Sequence, residues 1–238
     1  MKQFTKMMAV VVLAASTISC KKDIIGRGPI TTETRSITGF KGIDLRMNGN
    51  VYYTNATAWK VEIAAPQSLF GSIETYLVDQ NLVVKYSNGR TYDADDRIRI
   101  NVSGPDVSRF MLNTSGSIYS TNDIQVPALF LRSNGSGNIS LQNVITNSID
   151  AEGTVSGSIS ATGGTTVSAQ IKSDASADVN LQGIIAKSVS ARTVGSGDIR
   201  IRVTEHLDAT INGSGSIYYT GYPSVSPHIS GSGHLVRY

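Results

Sequence analysis

The sequence is poor in the groups that usually announce a function. Its 238 residues include one cysteine, one tryptophan and only 16% charged residues. A lone thiol closes no intramolecular disulfide, so packing and hydrogen bonds must hold the chain together. No acidic or basic tract is present, and the formal net charge is +3. Without residues 1–19, which hold Lys2 and Lys6, it falls to +1, too near neutral to draw the protein onto polyanions, so nucleic acid is not an expected partner. The apolar run from Met7 through Ala15 is well short of the roughly 20 residues a spanning helix needs, and no later stretch approaches that length. A P-loop, a dinucleotide fingerprint and a solitary nucleophile elbow are all missing, since the many Gly-Ser-Gly strings recur periodically. What is present is 40% hydrophobic residues, enough for a core, together with 23 glycines and ten tyrosines.

The amino end, MKQFTKMMAVVVLAASTISC, has a positive start, an apolar run and then small residues, the pattern of a secretory signal. The only cysteine, Cys20, follows Thr17-Ile18-Ser19. That placement resembles a bacterial lipoprotein signal, so residues 1–19 are expected to be removed and Cys20 to carry the lipid that anchors the protein to a membrane. Lys21-Lys22-Asp23 then looks like a polar tether of the Bacteroidetes type. Residues 20–35 read as lipidated cysteine and tether, leading into a first strand.

Internal repetition dominates the carboxyl half. The apolar residues after the Ser-Gly-Ser-like turns are Ile118, Ile139, Ile159, Val179, Ile199, Ile217 and Leu235, with successive spacings of 21, 20, 20, 20, 18 and 18. Three positions before each lies a serine: Ser115, Ser136, Ser156, Ser176, Ser196, Ser214 and Ser232. Two before each lies glycine, except at Ala177. Alternating apolar residues run on both sides, so each unit holds two short strands with one buried face. Units this small cannot bury that face alone, and stacking them creates a continuous core. The expected fold is all-β, a solenoid with repeats of roughly twenty residues, residues 113–238 forming a rod about 34 Å long at the usual strand spacing. Stacked serine hydroxyls are expected to bond along it.

Residues 36–112 read as a less regular β lobe of the same domain, with strands around Ile43-Asp44-Leu45, Val51-Tyr52-Tyr53, Val61-Glu62-Ile63, Leu82-Val83-Val84 and Ile98-Arg99-Ile100. Pro66 opens an expected short helix, with Leu69, Ile73, Tyr76 and Leu77 at helical spacing. Met47-Asn48-Gly49-Asn50-Val51 echoes the later corners and predicts that this lobe joins the stack. Ser36-Ile37-Thr38-Gly39-Phe40-Lys41-Gly42-Ile43, Asn81-Leu82-Val83-Val84 and the repeated Gly-Ser-Gly-x-Ile corners resemble the putative auto-transporter adhesin family called the head GIN domain, frequent in Bacteroidetes. The similarity covers about residues 36–220. It implies a right-handed β-helix-like fold on an exported protein and supplies no catalytic or ligand residues.

An enzyme acting on polysaccharides would need converging carboxylates. Asp174, Asp178 and Asp198 are the candidates in the repeats, Asp178 and Asp198 sharing one register position in adjacent rungs, but they read as corner residues and no catalytic residue is expected. Asp93-Ala94-Asp95-Asp96 lacks the spacing and glycine of a calcium loop, and His206, His228 and His234 lack zinc spacing, so neither metal nor cofactor is expected. Aromatic residues are the more promising surface. Tyr52, Tyr119 and Tyr218 follow the buried anchors and should point outward, and Tyr222 lies in a loop, where each could stack on a sugar beside Asn, Gln and Ser side chains. The sequence therefore predicts an envelope protein that binds glycans or a cell-surface ligand. A polysaccharide-active enzyme and a purely structural envelope protein that associates with itself are the alternatives.

Overall fold

A computed structural model describes residues 24–87, 92–93 and 97–238. The irregular part comprises β1 (Ile24–Ile25), β2 (Ile30–Thr34), β3 (Gly42–Arg46), β4 (Asn50–Asn55), β5 (Lys60–Pro66), a 3-10 segment (Gln67–Ser72), β6 (Ile73–Val78), β7 (Asn81–Tyr86), β8 (Tyr92–Asp93) and β9 (Arg99–Gly104). The repeats supply β10 (Arg109–Leu112), β11 (Ser117–Ser120), β12 (Ile124–Gln125), β13 (Ala128–Ser133), β14 (Asn138–Ile145), β15 (Ser148–Gly153), β16 (Ser158–Ala175), β17 (Asp178–Gly195), β18 (Ile199–Gly213), β19 (Ile217–Thr220), β20 (Ser224–Gly231) and β21 (Leu235–Arg237).

Parallel pairing winds the repeats into a β-solenoid of about 6 turns with roughly 20-residue spacing, and the same walls extend into the irregular part. Its first wall runs β7, β3, β10, β13, β15, the second halves of β16, β17 and β18, and β20. The second wall runs β9, β4, β11, β14, the first halves of β16, β17 and β18, then β19 and β21. A short third wall joins β12 to the end of β14 and the middles of β16 and β17. Strand alternation puts the anchors Ile118, Ile139, Ile159, Val179, Ile199 and Ile217 fully inside, in one core that runs from Phe40 to Ile217. Each such isoleucine or valine contributes roughly 1.5–3 kcal/mol by leaving water.

The amino-terminal lobe joins the same stack, as the Gly49 corner predicts, but out of chain order. The rung of β3 and β4 lies between the later rung of β7 and β9 on one side and that of β10 and β11 on the other. Antiparallel strands then close this end: β6 on β7, β5 on β9, and β2 on β5.

Three expectations need amendment. Ile30–Thr34, read as tether, is hydrogen-bonded into the sheet beside β5. After Pro66 only the 3-10 segment forms, with Leu69 buried, while Ile73, Tyr76 and Leu77 lie on β6. Ile73-Glu74-Thr75-Tyr76-Leu77-Val78 is rich in β-forming residues, and pairing with β7 satisfies its backbone groups. The serine column at the corners is exposed, and among the described residues only Ser176 and Ser196 bond side chain to side chain along it, at 3.1 Å. The polar ladder instead occupies the position just before each anchor. There Ser117 Oγ accepts the Asn138 amide, the Ser158 hydroxyl donates to Asn138 Oδ1, and Ser216 Oγ accepts the His234 amide.

The corner glycines are required by close approach. A Cβ on Gly137 would stand 1.6 Å from the carbonyl oxygen of Gly116 in the preceding rung. Ala177 is the exception: its methyl is buried, in space that a Cβ on Gly153 would otherwise contest at 2.7 Å. Beneath these corners the Thr193 hydroxyl donates to the Gly197 carbonyl at 2.8 Å, and the Ser173 hydroxyl to that of Ala177.

Candidate ligand-binding walls

The outward column of the second wall reads Asn101, Tyr52, Tyr119, Ser140, Ser160, Asn180, Arg200, Tyr218 and Val236. Tyr52 and Tyr119 stack with ring centres 5.3 Å apart and planes 24° from parallel. The Arg99 guanidinium lies 3.8 Å from the centre of the Tyr52 ring, on the β9 side, and its Nε donates to Asn101 Oδ1 at 3.0 Å. Tyr52 is thus enclosed between a cation and a second ring, a favourable use of its π face. Tyr119 is bounded on its other side by the short Ser140 side chain.

Tyr218 stands five rungs from Tyr119, roughly 24 Å along the rod at the usual strand spacing. The guanidinium of Arg200 lies 4.9 Å from its ring centre, and Tyr238 meets it edge-on at 6.3 Å. Tyr222 is 85% exposed, with the Arg237 guanidinium 4.6 Å from its ring centre. The four tyrosines therefore form two separate groups, with Ser140, Ser160 and Asn180 between them.

Asp178 and Asp198 are neighbours in adjacent rungs. The Asp198 amide donates to Asp178 Oδ1 at 2.8 Å, the Ser216 amide donates to Asp198 Oδ1 at 3.0 Å, and Asp198 Oδ2 pairs with Arg200 at 3.1 Å. Both carboxylates serve the backbone of the next rung. His206 Nδ1 lies 2.6 Å from Ser224 Oγ, and among the described residues no three His, Cys, Asp or Glu side chains gather as a metal site. Cys20 and most of the Asp93–Asp96 loop lie outside the described residues. No helix among the described residues is long and apolar enough to cross a membrane.

Two further features escaped the sequence reading. Phe130 is 47% exposed on the first wall, in a column otherwise made of Asn81, Gly42, Arg109, Asp150, Gln170, Ser190, Asp208 and Ser226. A single aromatic in that polar column was the available signal. On the third wall, Ile145 and Val167 are exposed beside a groove of about 800 Å³ that also takes in Pro127, Asn147 and Lys187. The short third strand of each rung carries no periodic turn residue to mark it.

Residues 39–223 match the family described as putative auto-transporter adhesin, head GIN domain. No curated protein matches the sequence. Among solved structures, a putative adhesin from Bacteroides fragilis is 24% identical with a TM-score of 0.85, over 90% of this chain and 100% of the other. A putative adhesin from Parabacteroides merdae is 20% identical with a TM-score of 0.72, over 91% and 99%. A protein from Parabacteroides distasonis, described as a putative lipid binding protein, is 22% identical with a TM-score of 0.73, over 91% and 100%. These likenesses establish a shared fold.

Proposed function

The chain belongs to the putative auto-transporter adhesin, head GIN domain family, and from that premise we propose that it is a non-catalytic binding module of the cell envelope which holds extended glycans along its second wall. The observation that carries this reading is the Arg99–Tyr52–Tyr119 stack. The cation and the inner ring brace Tyr119, so its ordering cost is met before a ligand arrives. Past Tyr119 the wall is floored by Ser140, Ser160 and Asn180, flanked by exposed Asn138, Gln142, Thr162 and Gln182. Such a surface offers amides and hydroxyls to sugar hydroxyls and a ring to a sugar's C–H face. The engagement of Asp178 and Asp198 by backbone amides supports a role without bond cleavage.

The test is a glycan and matrix-protein array probed with the protein and with Tyr119→Ala and Tyr218→Ala separately. Selective glycan binding that Tyr119→Ala loses at unchanged melting temperature is expected, with Tyr218→Ala weakening only ligands long enough to reach it. A blank array with folded protein, or binding indifferent to both changes, overturns the reading. Shortening of any glycan would favour an enzyme. Trapping of a second copy by cross-linking in cells would favour a structural envelope protein.

The third-wall groove favours a second reading, capture of an apolar chain, because Ile145 and Val167 expose 42% and 51% of their surfaces there. Ile145→Asp should abolish binding of a fluorescent fatty acid if that reading holds, and leave the glycan array unchanged.

The membrane attachment proposed for the module is a lipid on Cys20. Labelled palmitate should enter the wild-type protein and not Cys20→Ser, and globomycin should preserve the precursor's size. Absence of label with unaltered processing overturns the anchor.

A further inference from the structure

The first wall carries a polar surface whose hydrogen-bonding capacity is unspent. One neighbouring row of the rod shows the contrast, its side chains tied from rung to rung. The Thr154 hydroxyl donates to Asn134 Oδ1, Asn134 Nδ2 to Asn113 Oδ1, and Asn113 Nδ2 to Asp44 Oδ1, all at 2.9 Å. On the first wall, Ser148, Ser168 and Ser188 stack in consecutive rungs, and Asp150, Gln170 and Ser190 stack beside them. None of these six side chains makes a hydrogen bond or ion pair with any described residue.

These same residues line a depression of about 470 Å³, and Phe130 stands at its head. A second depression, of about 260 Å³, lies on the far side of Phe130 between Arg109, Met111 and Arg132, and shares Asp150 with the first. Arg109 is held by Asn81 Oδ1 at 2.9 Å and the Asp79 carbonyl at 3.2 Å, and Arg132 is paired with Glu152. Both guanidinium groups are thus held in place, Arg109 by neutral oxygens and Arg132 by a carboxylate, whereas Asp150 makes no such contact.

The geometry points to a saccharide subsite on the first wall, independent of the tyrosines, in which Phe130 supplies the stacking ring, Asp150 and Gln170 bond sugar hydroxyls, and the serine column follows the chain of the ligand. An exposed aromatic alone is ordinary. Here it heads a concave surface of short polar side chains, in which the Asp150 carboxylate is open to accept from sugar hydroxyls. Two hydroxyls of one sugar can donate to its two oxygens. With ligands on the first and second walls, one rod would join two saccharide chains, the property adhesion requires.

The test is calorimetric titration of the protein with cellohexaose, laminarihexaose and mannohexaose, with polygalacturonate as the acidic probe. Phe130→Ala and Asp150→Asn are compared with Tyr119→Ala, and melting temperatures report folding. Binding of at least one neutral hexasaccharide, weakened about tenfold by Phe130→Ala and by Asp150→Asn at unchanged melting temperature and undiminished at this site in Tyr119→Ala, is expected. Polygalacturonate should bind more tightly to Asp150→Asn than to the wild type. Binding that depends on Tyr119 and is indifferent to Phe130 and Asp150 overturns the subsite while leaving the second-wall reading intact. No binding of any neutral hexasaccharide at millimolar concentration overturns it as well.

Discussion

The backbone amide of Asp198 donates to the Asp178 carboxylate 2.8 Å away in the preceding rung, which turns a pair of carboxylates with the look of a catalytic couple into part of a ladder. A carbonyl oxygen serves that amide nearly as well as a carboxylate oxygen. Asp178→Asn should therefore change stability by under about 0.5 kcal/mol, and Asp178→Ala should cost about 1 kcal/mol. Urea titrations of the two variants measure the difference. Equal and large losses would mean that the charge, not the hydrogen bond, holds the rungs.

The corner column predicts a steep contrast between two glycines. Gly137→Ala forces a methyl to within 1.6 Å of the Gly116 carbonyl oxygen, and backbone on both rungs must move. The expected loss is about 4 kcal/mol or more, read as a collapse of soluble yield or of the denaturation midpoint. Gly71→Ala, whose added methyl meets nothing within 4 Å, should be close to neutral.

Ala175 holds φ at 56°, a left-handed conformation that its register partner Gly195 meets with a glycine at 121°. An L side chain in that region costs about 1–2 kcal/mol, while glycine's extra freedom in the unfolded chain returns part of it. Ala175→Gly should stabilise the protein by about 0.5–1 kcal/mol, visible as a raised melting temperature. Gly195→Ala should destabilise it, since the methyl would stand 2.2 Å from the Ala175 carbonyl oxygen.

Tyr53 is buried against Phe110, edge-on at 5.3 Å, and its hydroxyl donates to the Gly104 carbonyl at 2.9 Å. Burial pushes its pKa from 10.0 to about 12. The folded state thus keeps a proton that the unfolded state releases, so the stabilisation is complete below pH 10 and is lost between about pH 10 and 12, amounting to roughly 3 kcal/mol. Tyr53→Phe should lower stability by about 1 kcal/mol at neutral pH through the lost hydrogen bond, and should flatten the alkaline decline measured by urea denaturation at several pH values.

The repeat was legible because each rung restates one physical demand: a glycine where backbones touch and an apolar anchor three residues after the exposed serine. The placement of β7 and β9 beneath β3 and β4 was not, since alternation marks a strand without saying which neighbour it takes. The Pro66 segment misled for a related reason. Leu69, Ile73 and Leu77 satisfy a helical period, but Ile73 and Leu77 also satisfy the alternation of β6, and sheet pairing decides between them. The tyrosines were visible as a class, whereas their division into two groups depends on the count of rungs between them. Phe130 was passed over because the repeat was aligned on the second wall, where the corners make the columns plain.

The out-of-order rung sets the timing of assembly. As the chain emerges amino end first, β3 and β4 have no parallel partner until the strands around residues 81–104 and 109–120 have followed them. The sealed end of the rod is thus incomplete until residue 104 has been made, and closing it joins segments farther apart in sequence than any later rung, the kind of contact that slows folding. The twenty-residue rungs after it add one after another, each on a template already in place. A stalled or clipped chain that stops short of β7 would leave β3 and β4 bare, so the slow step guards the first rungs made, not the last.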